Sequence, residues 1–416
     1  MENGMKNYKM SMYNIEFTFN NNRMIYNALF GTCVEIPNDM ALSASTERLL
    51  SSHIIVPKDL DEIKQFKVML SKAESQHRTP HFIIASTMQC NFKCPYCYAA
   101  HSSKKMMRDT SQKIVRFIDE CISKEERKVN IIWVGGEPLM NIEEICYINS
   151  ALTNEYDILV GSTVVTNGSL LDMKAAERLK KAKVKNVVVS LDGPKQVHDR
   201  RRRYLLGKGS YDDIINNIAS MVECFSVTVR VNVNDDNVES VPQLISILNE
   251  RDLLGKVQVS LVPIQMFDAE NEYTLKHSVA LSTIEKIFDM VRSQHNVLWG
   301  GPDPCFHTCP GMNYNDYCID PEGKFYACPI GIGDTSKIIG DVNDCLPTPE
   351  YYAWYDFCNE IPSKCTDCAY LPLCMSNCCW ISKEHGEKSN QNMNCERKKK
   401  YFDICIKNYI QSLYER

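Results

Sequence analysis

The sequence predicts an α/β protein built on a parallel sheet, open or curled into a partial barrel. A small α+β segment precedes that sheet and a cysteine-dense segment follows it. Three observations carry this expectation. Between residues 80 and 295, six short β-rich runs alternate with amphipathic helical patterns, the order that yields parallel strands joined by helical crossovers. Residues 1 to 78 open with strand-like runs and then turn helical. Of the 20 cysteines, 13 lie between Cys305 and Cys405.

Composition narrows the function classes. The chain has 416 residues, enough for two or three domains, and is 44% hydrophobic and 24% charged, as expected of a soluble protein with a substantial core. The net charge of -5 marks no nucleic-acid partner. No apolar run approaches the ~18–20 residues of a membrane span. The start, Met1-Glu2-Asn3-Gly4, lacks the basic-then-apolar pattern of a secretory signal. A cytoplasmic location without membrane attachment is therefore expected. In such a chain abundant cysteine points to metal binding rather than to disulfides.

The first segment reads as strands Asn14 to Phe19, Met24 to Leu29 and Thr32 to Ile36. Asn20-Asn21-Asn22 supplies turn chemistry between the first two. Helical patterns follow near Ser45 to Ser52 and Asp59 to Ser71. In the latter, Leu60, Ile63, Phe66, Met69 and Leu70 form an apolar stripe at spacings of three and four. In the middle segment the strand-like runs are His81 to Ser86, Asn130 to Val134, Ser162 to Thr166, Asn186 to Leu191, Ser226 to Val233 and Val257 to Val262. A helix is expected to start near Asp109, with Gln112 completing a capping-box variant. Its Ile114, Val115, Ile118, Cys121 and Ile122 share one face. The last segment, from residue 300, is loop-rich and closes on a helix near Lys399 to Leu413. It has little periodic apolar surface and is expected to fold around metal.

Parallel α/β sheets carry function at the C-terminal ends of their strands. Here those ends hold Cys90, then Gly135, Gly136, Glu137 and Pro138, then Thr166, Asn167 and Gly168, then Ser190, Asp192, Gly193 and Pro194, then Asn232 and Asn234. A bland turn explains any one of them; several in register are better explained by a site.

Cys90, Cys94 and Cys97 are spaced Cys-x3-Cys-x2-Cys. Zinc usually takes four protein ligands in paired Cys-x2-Cys knuckles, and only one such pair exists here, with no fourth ligand nearby. Three thiolates on a tight loop suit a [4Fe-4S] cluster with one iron left open. This motif, with the aromatic Tyr96 inside it, resembles the signature of the radical S-adenosylmethionine superfamily. Gly135, Gly136, Glu137 and Pro138 resemble that family's GGEP segment, which binds the methionine amino group. Thr166-Asn167-Gly168 and Ser190-Leu191-Asp192-Gly193-Pro194 resemble its cofactor-facing strand ends. His198-Asp199 with Arg202 resembles its HDxxR segment, whose Arg is expected near the methionine carboxylate. Gly207, Gly209 and Ser210 continue the pattern. Of the run Arg200 to Arg203, all but Arg202 read as a solvated charged patch.

The later cysteines resemble a second signature, that of the SPASM domain. Cys309, Gly323 and Cys328 are followed by Cys365, Cys368, Cys374 and Cys378, and then by Cys395. The resemblance implies two auxiliary [4Fe-4S] clusters, one on Cys309, Cys328 and Cys378, the other on Cys365, Cys368, Cys374 and Cys395. Cys305 and Cys318 are candidates for a fourth ligand of the first, with Cys379 behind them, or that site has no fourth thiolate. A zinc ribbon is the alternative for residues 365 to 378. Cys33, Cys121, Cys146 and Cys224 read as ordinary thiols, and Cys345, Cys358 and Cys405 match no pattern.

Together these resemblances imply three parts: a leader-peptide recognition module over 1–78, a partial (β/α)6 TIM-like barrel over 79–297, and a SPASM domain over 298–416. The implied cofactors are three [4Fe-4S] clusters and S-adenosylmethionine, whose cleavage gives a 5′-deoxyadenosyl radical. The implied partners are a precursor peptide and an electron donor such as flavodoxin or ferredoxin. The expected activity is an oxidative cross-link in a ribosomally made peptide, of the thioether-forming sactipeptide or ranthipeptide type. The strands Asn14 to Phe19 and Thr32 to Ile36 are where a leader would add to a sheet edge. Alternatives are a carbon–carbon cross-link, an anaerobic sulfatase maturase, or a non-catalytic iron-sulfur electron carrier. The sulfatase branch carries an Asp after the Gly-x4-Cys cysteine, whereas Pro329 follows Cys328 here. A carrier would not need GGEP, Asp192 or Arg202. No general base is identified.

Overall fold

The structure is a computed structural model. It describes residues 7–36, 46–75, 79–122, 127–264, 281–283, 285–286, 297–298, 315–343, 348–374, 378–380, 383 and 395–414. The chain divides into two compact units. One comprises 1–77, 300–308 and 359–416, the other 78–299 and 309–358.

In the first unit β1 (Tyr8–Met10) pairs antiparallel with β5 (Ile55–Pro57). β2 (Asn14–Phe19), β3 (Asn22–Asn27) and β4 (Thr32–Ile36) form an antiparallel meander with β3 central. The predicted second strand thus begins two residues early, because Asn20 and Asn21 take positive φ and make a tight turn. α1 (Thr46–Ser51) and α2 (Glu62–Ser75) follow the expected pattern. Ile25, Val34, Ile36, Leu49, Ile54 and Ile55 form this segment's buried cluster. Beside it the buried Glu62 accepts from Ser11 Oγ at 2.5 Å and from Met12 N at 3.2 Å. β1 and β5 are too short for alternation to register, and the sequence reading missed both. Farther along the chain this unit holds the helices Leu371–Cys374 and Cys395–Tyr414, while the helix Pro349–Asn359 belongs to the other unit up to Cys358.

The second unit is built on β6 (His81–Thr87), β7 (Lys128–Gly135), β8 (Leu159–Thr166), β9 (Asn186–Ser190), β10 (Ser226–Val233) and β11 (Val257–Pro263), all parallel and adjacent in chain order. Between them run α3 (Arg108–Cys121), α4 (Ile142–Asn154), α5 (Met173–Lys181), α6 (Lys195–Arg201), α7 (Tyr211–Met221) and α8 (Val241–Glu250). The strands alternate with period two. Val129, Ile131, Trp133, Val160, Val164, Val187, Val189, Val227, Val229 and Val231 are buried on one face. Each such side chain contributes roughly 1.5–3 kcal/mol. The other face, with Ile132, Thr163, Val188, Thr228, Arg230 and Asn232, is half-buried. On the helical side the Trp133 indole donates to Asn149 Oδ1 and Ser162 Oγ, both at 3.2 Å, so the large ring is buried without an orphaned N–H.

Two expectations are corrected. The capping box at Asp109 does not form: α3 starts at Arg108 with no side-chain cap, and Asp109 instead pairs with Lys113 at 2.7 Å one turn on. The cysteine-dense segment is not all loop. β13 (Asp316–Ile319) adds to the free edge of β6 in parallel, and β14 (Lys324–Tyr326) and β15 (Ile338–Asp341) extend the sheet antiparallel. β12 (Val297–Leu298) adds at the other end, giving ten strands. The turn from β13 to β14 needs Gly323, whose φ is +83. Asp320 Oδ1 accepts from Glu322 N and Lys324 N across that turn.

The sheet is curled. Tyr98 lies within electrostatic reach of both Arg230 on β10 and Cys318 on β13, five strand spacings apart in the sheet order. A flat sheet would separate them by about 24 Å at ~4.8 Å per strand. Among the described residues no helix is long and apolar enough to cross a membrane.

Close approach at the end of β7 makes a stability prediction. A Cβ on Gly136 would lie 2.2 Å from Gln89 O, whereas one on Gly255 would meet nothing within 4 Å. Gly136→Ala should therefore lower stability by about 2 kcal/mol or more, and Gly255→Ala by less than about 0.5 kcal/mol. Thermal unfolding of the two variants checks this; equal melting temperatures would refute the crowding.

Candidate active site

The loop after β6 carries Cys90, Cys94 and Cys97, and several strand ends hold it. Gly136 N donates to Thr87 O at 3.0 Å, and Glu137 N to Gln89 O at 2.7 Å. Asn167 Nδ2 donates to Asn91 Oδ1 at 2.8 Å, and Asn91 Nδ2 to Ser169 Oγ at 2.9 Å. Lys93 N donates to Arg203 O at 3.1 Å, and Leu205 N to Asn91 O at 3.0 Å. The expected motifs at the ends of β7 and β8, and the segment after α6, thus all brace this one loop.

The three thiols interact electrostatically with one another. Burial pushes Cys90 up to about 12 and raises Cys94. Burial would raise Cys97 too, but the His101 ring, 3.3 Å from Sγ, and the Ala99 N–H outweigh it and lower that thiol. Three half-buried thiolates repel one another and are poorly solvated, so they are stable together only around a cationic centre. Among the described residues no three candidate ligands converge as a single metal ion requires. A cubane meets its thiolates at separate corners and does not need that convergence. The donor set fits a three-thiolate [4Fe-4S] site.

Glu137 is fully buried. Its carboxylate accepts from Thr166 Oγ1 at 2.6 Å, Asn167 N at 2.7 Å and Leu139 N at 3.1 Å. Burial outweighs these bonds and raises its pKa. Pro138 opens a short 3-10 turn, and its carbonyl accepts from Ser86 Oγ at 3.1 Å. The GGEP and TNG segments are therefore locked to each other through one side chain.

Asp192, at the end of β9, gathers the rest. It accepts from the Tyr96 hydroxyl, from Arg201 Nε at 3.3 Å, and from Asn232 N and Nδ2 at 3.1 Å each. Arg202 Nη1 donates to Tyr96 OH at 2.8 Å. Burial would raise Asp192, but the Arg202 and Arg201 guanidiniums hold it below the usual carboxylate range. Arg202 Nε is buried without a hydrogen-bond partner. An orphaned guanidinium N–H beside the thiolate loop fits the carboxylate expected there.

Arg201 corrects the sequence reading. It is 1% exposed, not solvated. It donates to Asn234 Oδ1 at 2.8 Å, Asp236 Oδ2 at 3.2 Å and Asn232 O at 3.0 Å. It sits three residues after the buried His198 on α6, so both share the inward face. That i, i+3 relation was the available signal. Arg200 and Arg203 are exposed as expected.

Ser190 ends β9 opposite Arg230 of β10. Arg230 was not singled out from sequence, yet its Nε is also buried without a partner. Cys318 is fully buried in an apolar cluster with Ala85, Met88, Tyr326 and Ile332. Cys328 precedes the 3-10 turn Pro329–Gly331. Both cysteines lie within electrostatic reach of Tyr98. In the other unit Lys398 Nζ is 3.9 Å from Cys374 Sγ, and Lys399 is within electrostatic reach of Cys368 and Cys395. Cys365 ends a 3-10 turn and Cys378 is half-buried. Cys305 and Cys309 lie outside the described residues.

His198 gives a pH prediction. Its Nδ1 accepts from Asp192 N at 3.2 Å. Its Nε2 lies 3.0 Å from Ser210 Oγ, which itself donates to Arg202 O at 2.6 Å. The ring is therefore neutral with the proton on Nε2. Burial and Arg202 lower its pKa from 6.5 to about 4. The unfolded chain takes up a proton below about 6.5 while the folded one does not. This stabilisation is thus complete above that pH and is lost as pH falls toward 4. At pH 5 the loss should be about 2 kcal/mol. Melting curves at pH 7.5 and 5 should show a larger drop for wild type than for His198→Gln; equal drops would assign the acid sensitivity elsewhere.

Comparison with known proteins finds relatives that share this arrangement. Residues 84–248 match the Radical SAM superfamily. Over 368 residues the chain is 23% identical to the radical SAM cyclopropyl synthase TigE of Paramaledivibacter caminithermalis, covering 77% of this chain and 72% of that protein. Over 359 residues it is 21% identical to the cysteine-type anaerobic sulfatase-maturating enzyme of Clostridium perfringens strain 13, covering 77% and 94%. The structure of native anSMEcpe with bound AdoMet and Kp18Cys peptide aligns with TM-score 0.65 at 17% identity, covering 81% of this chain and all of that one. Streptococcus suis SuiB bound to precursor peptide SuiA aligns with TM-score 0.57 at 16% identity, covering 91% and 97%. At these identities the structural likeness is one of fold. The domain at residues 84–248 is thus similar to the Radical SAM superfamily, a likeness that implies a [4Fe-4S] cluster and S-adenosylmethionine.

Proposed function

We propose that this protein is a peptide maturase that installs an oxidative cross-link in a ribosomally made precursor, joining a Cys sulfur to a carbon of an acceptor residue. The observation that carries the reading is the braced three-thiol loop beside Arg202, whose buried Nε lacks a partner. When bound, the cluster and S-adenosylmethionine supply a 5′-deoxyadenosyl radical that can take hydrogen from an unactivated C–H bond. Cys90, Cys94 and Cys97 would hold the cluster. Arg202 would hold the methionine carboxylate, and Gly135 to Pro138 would bind its amino group. Asp192 orients Tyr96 and neutralises the guanidiniums.

Joining a thiol to carbon removes two hydrogens from the peptide: the radical takes one as a hydrogen atom, the other leaves as a proton and an electron, and that electron needs an acceptor. Two auxiliary clusters would serve that need. Cys309, Cys328 and Cys378 would hold one, with Cys305 or Cys318 as the candidate fourth ligand; Cys318 is the weaker of these two because its side chain fills the apolar cluster. Cys365, Cys368, Cys374 and Cys395 would hold the other, and the lysines beside Cys368, Cys374 and Cys395 support that grouping. A flavodoxin or ferredoxin would reduce the first cluster. Likeness to SuiB bound to its precursor peptide supports a peptide substrate. Strands β2 and β4 are the two outer strands of their sheet, and either could receive a leader by β-addition.

The sulfatase-maturase reading is the second one, because the Clostridium perfringens relative carries that name. Pro329 after Cys328 weighs against it.

Anaerobically reconstituted protein should contain about 12 Fe, from three four-iron clusters. Replacing Cys90, Cys94 and Cys97 together by Ala should remove about a third of that iron and abolish 5′-deoxyadenosine formation under dithionite. Persistent cofactor cleavage in that variant would end the catalytic assignment. A short Cys-containing peptide encoded beside the gene should lose two hydrogens on incubation and should slow hydrogen exchange at amides of β2 or β4. Conversion of its thiol to an aldehyde would establish the sulfatase-type reaction instead.

A further inference from the structure

We infer that Arg230 forms a carboxylate-binding subsite on the inner face of the curled sheet, and that the peptide substrate presents an acidic group to it. The inference rests on the peptide-maturase reading and names a chemical requirement of its substrate. Arg230 stands in the middle of β10, in register with Ser190 of β9 on one side and Ser260 of β11 on the other. Registered residues of parallel neighbours point to the same face, so the guanidinium is flanked by two short hydroxyl side chains that leave room for a ligand and can donate to it. Asn232, two residues on and on the same face, touches Asp192, so the subsite lies one layer deeper than the Asp192 network.

Charge is what singles this arginine out. Arg201 has Asp192 and Asp236 as ion-pair partners. Arg202 has the Tyr96 hydroxyl and the field of Asp192. Among the described residues Arg230 has no carboxylate partner, and its Nε is buried without a hydrogen bond. Besides burial, the groups that act on it are the Tyr98 ring hydroxyl and the like-charged Arg202. A guanidinium stays charged at any ordinary pH. A half-buried one whose Nε is shielded from water, with no carboxylate partner among the described residues and within the field of a second guanidinium, is a cost to the fold that an incoming anion removes. Arg202 answers the cofactor's carboxylate; Arg230 is a second cation and calls for a second anion. A peptide can supply it from an Asp or Glu side chain or from its C-terminus, and bidentate pairing with a planar carboxylate suits arginine in particular.

The test uses the full chain, anaerobically reconstituted with S-adenosylmethionine bound. Two synthetic pools of random decapeptides, one amidated and one with free C-termini, are offered to wild type, Arg230→Gln and Arg230→Lys. Retained peptides are read by mass spectrometry. Wild type should retain acidic peptides about tenfold better than Arg230→Gln, the worth of one charged hydrogen bond, with Arg230→Lys between them. All three should bind S-adenosylmethionine and iron alike. A preference seen only in the free-terminus pool would assign the subsite to a C-terminal carboxylate; one seen in both pools assigns it to a side chain. Equal acidic content for wild type and Arg230→Gln would overturn the subsite while leaving the peptide reading intact. Loss of S-adenosylmethionine binding in both variants would overturn it by giving Arg230 to the cofactor. If wild type retains no peptide from either pool, the peptide reading fails and the subsite with it.

Discussion

One buried carboxylate holds the functional end of the sheet together. Asp192 is fully buried, yet it stays ionised because two guanidiniums and several N–H and O–H donors converge on it. Through its oxygens the thiol loop (by Tyr96), the end of α6 (by Arg201) and the end of β10 (by Asn232) are fixed to the end of β9. Removing it would leave Arg201 and Arg202 buried with far less compensation, a situation that costs roughly 3–5 kcal/mol where one partner of a buried pair is lost. The loop would also lose the contact that sets the direction of its central aromatic ring.

The second constraint is steric. The thiol loop can lie close over the strand ends only because β7 finishes in two glycines whose absent side chains leave space for the backbone of Thr87 and Gln89. Glu137 then reaches across to the end of β8. Hydrogen bonds at buried strand ends are unforgiving, because any orphaned group pays the full desolvation penalty. The exceptions are therefore informative. Among the buried atoms without partners, Arg202 Nε and Arg230 Nε belong to two guanidiniums that lie within each other's electrostatic field. A site made to receive anions keeps such groups open.

Much of this arrangement was legible in the chain. The six parallel strands of the core fall where alternation and β-rich composition put them, and the residues at their ends were read as a set because they recur in register. The Cys triplet could be named from its spacing and Glu137, Thr166, Asn167 and Asp192 from their places at strand ends, whereas Arg202 could be named only through its resemblance to the HDxxR segment. The thiol loop's bracing is the same information seen in space. The capping box at Asp109 failed because an acidic residue one position inside a helix gains more from a lysine a turn later.

Sequence alone determined which candidate residues stand at the strand ends, since a spacing motif and its turn are contained in a few neighbouring residues. Tertiary structure alone decided which arginine of a run of four is buried, because that depends on how the last turn of α6 faces Asp192 and Asp236. It decided that residues 316–341 extend the sheet from β6, because three- and four-residue strands carry no pattern until a long edge templates them. It also decided that Arg230 stands without a carboxylate partner among the described residues, because charge balance inside a curled sheet is a sum over strands far apart in the chain.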